Sequence, residues 1–493
     1  MLNTTPITDL AFAAAGSNDP LAARIARASV DVAMLDLPIE VTAKVKVCLL
    51  DLIGCAFEAR DLPWSQQAVL LAARLVDDGD AATMIGSPYA ASYTDAAFAN
   101  AVMGHGLVRE DMHAGSISHL GVVVLPTLLA LAQSRRTSGA DFIAAVAVGY
   151  EVGAQIGRAV IDADLARIHR PTGITGPLGA TAAGARLFGL SVEETTSALG
   201  FAANTAAGLN QWAHTGGSEM FFHPGFAARN AVTAVRLAAL GAFASATALD
   251  GEAGLFAALR KSSAANKVKL FAGKPEILSV YHKPVPACNF AQTACQAALS
   301  IARETHITPA RIAAITIRVP RAGATYPGCD STGPFAHILQ AKMSIQYNVA
   351  AALIKCGVSE DNFTLLDDAQ LHRLLSVTSL EIDDAMTRDY PGQQGGEVEV
   401  RDANGAQHRV RLRDVVNATE PDVRERFRIA SALVVGADRT REIEQFIDAL
   451  DECEDAGGLG ALLHGRSDDA KRVKPEVRRH HGRSREHGIL RGQ

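Results

Sequence analysis

Ala-rich apolar sequence, broken by Gly and Pro, fills the first half of the chain and constrains its fold more than any other feature. Alanine is the strongest helix former. After Leu37-Pro38 the apolar residues Val41, Val45, Leu49 and Leu52 recur at helical spacing. Asn18-Asp19-Pro20 reads as a helix start, a capping residue followed by Pro at the first helical position. Helical sequence runs to residue 275, with segments at 141–160, 179–188, 192–207 and 226–243 separated by Gly, Pro or Ser-Thr.

The texture then changes. Residues 311–320 place Ile315, Ile317 and Val319 at the two-residue period of a strand, and 377–382 reads as a second strand. Residues 397–413 hold two alternating runs around Asn404-Gly405, a hairpin signal. Helices fall between, at 291–305 and 340–355, and helix returns at 421–435, 439–452 and 457–464. The expected architecture is mainly α. A large discontinuous all-helical domain, residues 1–278 and 414–465, carries an inserted smaller α+β lid domain, 279–413. Residues 466–493 hold nine Lys/Arg against four Asp/Glu and few apolar groups, so they read as a basic, disordered tail.

Composition narrows the function classes. A net charge of −6 implies neither a nucleic-acid nor a membrane partner. The segment closest to a membrane span, 143–161, is interrupted by Glu151, Gln155 and Arg158. The seven cysteines are dispersed without a C-x-x-C pair, and the N-terminus lacks a signal pattern. A cytoplasmic protein with reduced thiols is expected. No P-loop or Rossmann glycine pattern follows a strand, and the Gly-rich string 173–179 reads as a tight helix start.

Chemistry concentrates in residues 100–126, where His105, His113, His119, Glu110 and Asp111 lie within apolar surroundings. Burying ionisable groups is costly unless they are paired. The cluster therefore reads as a proton-transfer site, with a plain surface loop as the alternative. Imidazole titrates near neutrality, which makes His119 the first candidate for base or acid. Asp111 and Glu110 could orient His105 or His119, or cap a helix. His113 reads as polar surface. The histidine spacings fit no zinc template, so no metal is expected.

Six motifs in order carry a resemblance: Leu37-Pro38 with Leu50-Asp51-Leu52-Ile53-Gly54; Ala97-Phe98-Ala99-Asn100 with His105, Glu110-Asp111 and His119; Gly176-Pro177-Leu178-Gly179-Ala180; His223-Pro224-Gly225 with Ala227-Ala228; Lys283-Pro284-Val285-Pro286-Ala287-Cys288; and Ser344-Ile345-Gln346-Tyr347. Together they resemble the MmgE/PrpD family over residues 20–464. That family includes 2-methylcitrate dehydratase, cis-aconitate decarboxylase and iminodisuccinate epimerase. The resemblance implies a helical domain with an α+β lid, a homodimer, a small carboxylate substrate and no cofactor. It implies His119, Asp111, His223 and Tyr347 as catalytic residues. His105, His169, Arg170 and Lys283 would bind substrate, an Arg fork being suited to a carboxylate. From the residues alone, His223 could equally be packed between its neighbours, Tyr347 a core tyrosine, and Lys283 part of an ordinary Lys-Pro-Val-Pro linker.

The chain departs from the dehydratase and decarboxylase pattern. Val108 stands where the pattern has Asp, Met220 where it has Lys, and Gln292 where it often has His. Around 169–173 a one-residue shift gives Arg170 the family histidine's place. The expected function is a cofactor-free lyase, a dehydratase or decarboxylase of a di- or tricarboxylic acid. An epimerase of an amino- or imino-dicarboxylate and a non-catalytic carboxylate-binding relative are the alternatives.

Overall fold

The computed structural model describes residues 19–73 and 81–465. The expectation for the 466–493 tail, and Asn18 of the first helix start, lie outside them. The described chain is mainly α-helical with two small sheets. No helix among the described residues is long and apolar enough to cross a membrane.

The helical half is built around helices Ile39–Ala59, Tyr93–His105, Gly121–Ala132, Gly139–Val160, Pro171–Phe188 and Glu219–Ala239. Val41, Val45, Leu49 and Leu52 are all buried, as their spacing predicts. Ser92 and Ser138 cap their helices by accepting from the N–H groups of Asp95 (3.2 Å) and Asp141 (3.1 Å).

Two helices start earlier than expected. Residues 173–179 lie inside helix Pro171–Phe188, not at its start, and Glu219–Ala239 contains Pro224. A helical glycine costs about 1 kcal/mol. Here close packing outweighs that cost, because a side chain at Gly179 would run into the Gly149 carbonyl of helix Gly139–Val160.

The larger sheet runs in the order β4-β3-β5-β6. Strand β3 (Ile312–Val319) pairs parallel with β4 (Thr378–Ile382) and antiparallel with β5 (Gly396–Asp402), which forms the expected hairpin with β6 (Gln407–Leu412). Gly405 takes φ +88° in the connecting turn, a conformation glycine adopts without penalty. Ile315, Ile317, Val398 and Val400 are buried, and helix Gln292–Thr305 packs against the sheet. β1 (Ala81–Thr83) and β2 (Ala90–Ser92) form a second, two-stranded sheet that periodicity did not reveal. Helix Glu420–Val435 follows the larger sheet in sequence but packs on helix Ile39–Ala59, with Phe427 directly over Gly54.

Candidate active site

His105 is the last residue of helix Tyr93–His105, and a turn follows it in which the Val108 N–H donates to the His105 carbonyl at 2.9 Å. Val108 has φ +57°, strained for a β-branched residue. Two buried lysines hold this turn. Lys283 Nζ donates to the Val108 carbonyl, while Lys342 Nζ donates to the carbonyls of Leu107 (3.2 Å) and Pro286 (3.1 Å). The turn then delivers Glu110 into a fully buried position between two imidazoles.

Glu110 Oε1 meets Nδ1 of His105 and, at 2.9 Å, Nδ1 of His119. The tautomers follow from the partners. Arg170 NH2 lies 3.3 Å from His105 Nε2, and a guanidinium only donates, so the His105 proton sits on Nδ1. His119 Nδ1 faces two acceptors, Glu110 Oε1 and the Asp111 carbonyl at 3.1 Å, so it too carries the proton. The Nε2 lone pair of His119 is left open. Its main chain is fixed by an N–H bond to Thr172 Oγ1 at 3.1 Å.

The charges agree with this assignment. Burial would raise the Glu110 carboxyl, but the two imidazoles outweigh it and hold Glu110 well below the usual carboxylate range. Burial holds both His105 and His119 below the ordinary imidazole value, against the pull of Glu110. The trio therefore carries one negative charge. Burial also pulls the Lys283 ammonium down to about 8, with Glu110 and Cys288 opposing.

His119 and Arg170 line a small cavity with Val108, Trp212, Met220 and Cys288. In this conformation the cavity measures about 20 Å³. A larger hollow of about 650 Å³, between Glu58, Arg109 and Leu433, holds none of these groups.

The structure thus brings together His105, His119 and Arg170, with Lys283 directly behind Val108 rather than in the cavity wall. Other candidates stand elsewhere. The Asp111 carboxylate points away and accepts from the Tyr150 hydroxyl, so of the two acidic candidates for orienting the histidines it is Glu110 that faces them. Tyr347 is a core residue, its hydroxyl donating to the Asn362 carbonyl at 2.9 Å between the rings of Phe335 and Phe363. His223 lines an adjoining hollow with Gly208, Leu209 and Phe226, and burial, with the charges of Arg170 and His105 nearby, pushes its imidazole down to about 3. His169 is only half-buried and pairs through its backbone with Leu209. His113, expected at the surface, is fully buried between Ser116 Oγ (2.8 Å) and Glu276 Oε2 (2.9 Å), because Glu276 satisfies its second nitrogen.

Two of the departures acquire a structural meaning. Met220 Sδ lies against His105 Nε2, so an apolar side chain closes that side of the cluster. Gln292 is fully buried and binds the backbone of the Lys283–Cys288 segment. It accepts from Val285 N–H (3.0 Å) and donates to the carbonyls of Val285 (2.9 Å), Ala287 (3.1 Å) and Cys288 (3.2 Å). Gln292→Ala strands the Val285 N–H and the Ala287 carbonyl, whereas the carbonyls of Val285 and Cys288 keep the N–H groups of Ala287 (2.8 Å) and Ala291 (3.1 Å); each orphaned buried group costs about 1–3 kcal/mol. The expected result is a loss of at least ~2 kcal/mol in urea unfolding. An unchanged midpoint would show that the segment holds itself.

His105, Glu110 and His119 also offer ligand atoms within 4.8 Å of one another, the spacing of a metal site. In the structure both Nδ1 atoms face Glu110 Oε1, so the trio as it stands is a hydrogen-bonded unit.

Comparison with known proteins sets this geometry in a family. The MmgE/PrpD N-terminal domain matches residues 23–267, and the MmgE/PrpD C-terminal domain matches residues 285–452. The chain belongs to the MmgE/PrpD family. Among MmgE/PrpD relatives it is 26% identical over 475 residues to a cis-aconitate decarboxylase of Aspergillus terreus, covering 87% of this chain and 93% of that protein. It is 27% identical over 398 residues to the cis-aconitate decarboxylase of Homo sapiens, covering 76% and 80%. A cis-aconitate decarboxylase-like protein, oryM, of Aspergillus oryzae is 33% identical over 236 residues, a match spanning only 45% of either chain.

Proposed function

We propose that this protein is a cofactor-free lyase of a small di- or tricarboxylic acid, with His119 moving the proton at a carbon next to a carboxylate. One observation carries the reading: His119 is locked with its proton on Nδ1 and its Nε2 lone pair free, in a cavity wall shared with Arg170. The names of the relatives point to the same substrate class.

In this reading Arg170 holds a substrate carboxylate. His119 Nε2 takes the carbon-bound proton, and the imidazolium that forms is stabilised by Glu110. In an elimination the electron pair left on carbon expels a β-hydroxyl, which leaves as water once protonated. In a decarboxylation no carbon-bound proton is removed first: the C–C bond to the departing carboxylate breaks, carbon dioxide leaves, and the electron pair left on the carbon skeleton takes one proton from His119, which enters that step as the imidazolium beside Glu110. Lys283 contributes positive charge from behind Val108 and holds the turn that carries Glu110.

A cavity of about 20 Å³ has room for one water. A six-carbon acid therefore enters only when the walls part. We assign that motion to residues 279–413 acting as a lid on the helical body, in a cytoplasmic homodimer.

Val108 and Met220 favour a second reading. They remove two polar groups from the dehydratase and decarboxylase pattern, which suits an epimerase that returns a proton to the carbon without expelling a group. Separate incubations in deuterium oxide with cis-aconitate, citrate and 2-methylcitrate, and with amino- and imino-dicarboxylates, each followed by NMR, separate the two. Net loss of water or carbon dioxide supports the lyase. Deuterium in recovered amino- or imino-dicarboxylate without net reaction supports the epimerase. Thermal stabilisation by these acids with neither outcome would leave a carboxylate-binding relative without catalysis.

A further inference from the structure

Cys288 and Cys329 place their sulfur atoms 3.5 Å apart in the protein interior. Their approach is set by the main chain rather than by long side chains. Cys288 N–H donates to the Lys342 carbonyl at 2.9 Å, and the Cys329 carbonyl accepts from Ile345 N–H at 2.9 Å. Two loops distant in sequence are thus clamped to the same short stretch, 342–345. Cys288 lines the candidate cavity, 5% exposed, whereas Cys329 is wholly buried behind it.

We propose that Cys288 and Cys329 form an oxidation-sensitive dithiol, a covalent modification site in the cavity wall that closes to a disulfide on exposure to hydrogen peroxide. The Cys288 thiolate attacks one peroxide oxygen and becomes a sulfenic acid, the other oxygen leaving as hydroxide, which takes up a proton to give water. The Cys329 thiol then attacks the sulfenic sulfur. An S–S bond forms, the S–O bond breaks and a second water departs. Two thiols are oxidised and one peroxide is reduced.

The surroundings divide the labour in this order. The hydrogen bond from Cys329 draws the Cys288 thiol below its ordinary value against burial, with Lys283 assisting, which favours the thiolate at Cys288. Burial raises Cys329, which stays a protonated partner. Cys295 is equally buried but has no such neighbours, and burial pushes it up to about 12. A sulfur-to-sulfur bond of about 2 Å needs a closure of only ~1.5 Å from the present spacing.

The test uses the full chain, graded hydrogen peroxide, alkylation of the remaining thiols and peptide mapping under non-reducing conditions. The expected result is loss of both Cys288 and Cys329 from the alkylated pool, appearance of one cross-linked peptide, and recovery of both thiols with dithiothreitol. Exposed Cys356 serves as the internal gauge of oxidant. In Cys329→Ser the cross-link is replaced by a Cys288 sulfenic acid that dimedone traps. In Cys288→Ser neither product forms. Oxidation of Cys356 while Cys288 and Cys329 both remain alkylatable would overturn the proposal, and so would Cys288 pairing with any other cysteine. The wild-type map decides the matter even where a variant fails to fold, and it needs no knowledge of the substrate.

Discussion

His119→Gln is expected to lower kcat by ~10²–10⁴, the usual worth of a positioned acid–base group, or about 3–5 kcal/mol of barrier. Glutamine is uncharged at every pH used, and its amide can still donate toward Glu110 and the Asp111 carbonyl. The variant thus keeps a donor where Nδ1–H stood and removes only the Nε2 lone pair. The loss should fall on kcat, with KM within a few-fold, if the substrate carboxylate is held by Arg170 as proposed. Deuterium entry into substrate should decline in step with turnover. A variant that folds, binds and still turns over within tenfold of wild type would remove His119 from the mechanism.

The same substitution has a stability signature with a definite sign. Burial depresses the folded-state value of His119 below the ordinary value of about 6.5. The unfolded chain then binds a proton that the folded chain refuses, so stability falls as pH drops below about 6.5. Each such group contributes about 1.4 kcal/mol per pH unit in that window. His119→Gln removes this one proton from the balance. Between pH 6.5 and 5, wild type is expected to lose ~2 kcal/mol more than the variant in paired denaturant titrations. Parallel pH profiles would mean that the folded protein takes up this proton freely.

Much of this site is legible in the sequence, but not its wiring. The period of Val41, Val45 and Leu49, and the alternation around Asn404-Gly405, report single elements. These came out as read because burial enforces one face. The cluster in 100–126 was visible because ionisable groups inside apolar sequence need partners. Which carboxylate would face the histidines was not visible, since Glu110 and Asp111 are adjacent and a turn sends neighbours to opposite sides. The left-handed Val108 decides that outcome, and nothing in a valine announces positive φ. Long-range partners are equally hidden. Tyr150 claims Asp111 from 39 positions away, and Glu276 claims His113 from 163 positions away. Tyr347 and His223 belong to family-like motifs, yet the Tyr347 hydroxyl is spent on the Asn362 carbonyl and His223 lines an adjoining hollow, since a motif reports a place in the chain rather than a place in the cavity.

Glu110→Gln is the sharpest probe of that wiring. The amide oxygen can accept from both Nδ1–H groups, so the geometry can persist while the charge disappears. During turnover the imidazolium at position 119 then faces a dipole instead of a carboxylate 2.9 Å away. At an effective dielectric of ~20, a full charge at that separation is worth roughly 5 kcal/mol, of which reorganisation offsets a part. A fall in kcat of ~10²–10³ is expected, in the range of losing one preorganised electrostatic partner. A second effect follows at Lys283. Glu110 is the group that most opposes the downward push of burial on this ammonium, which sits at about 8. Without it the value falls further, and the alkaline limb of the kcat/KM profile should move to lower pH. Asp111→Asn provides the contrast. It keeps the Asp111 main-chain carbonyl on His119 and a side-chain oxygen for Tyr150, so its loss should stay within tenfold. Equal losses in the two variants, with no shift of the alkaline limb in Glu110→Gln, would show that the carboxylate at 110 is only a packing element.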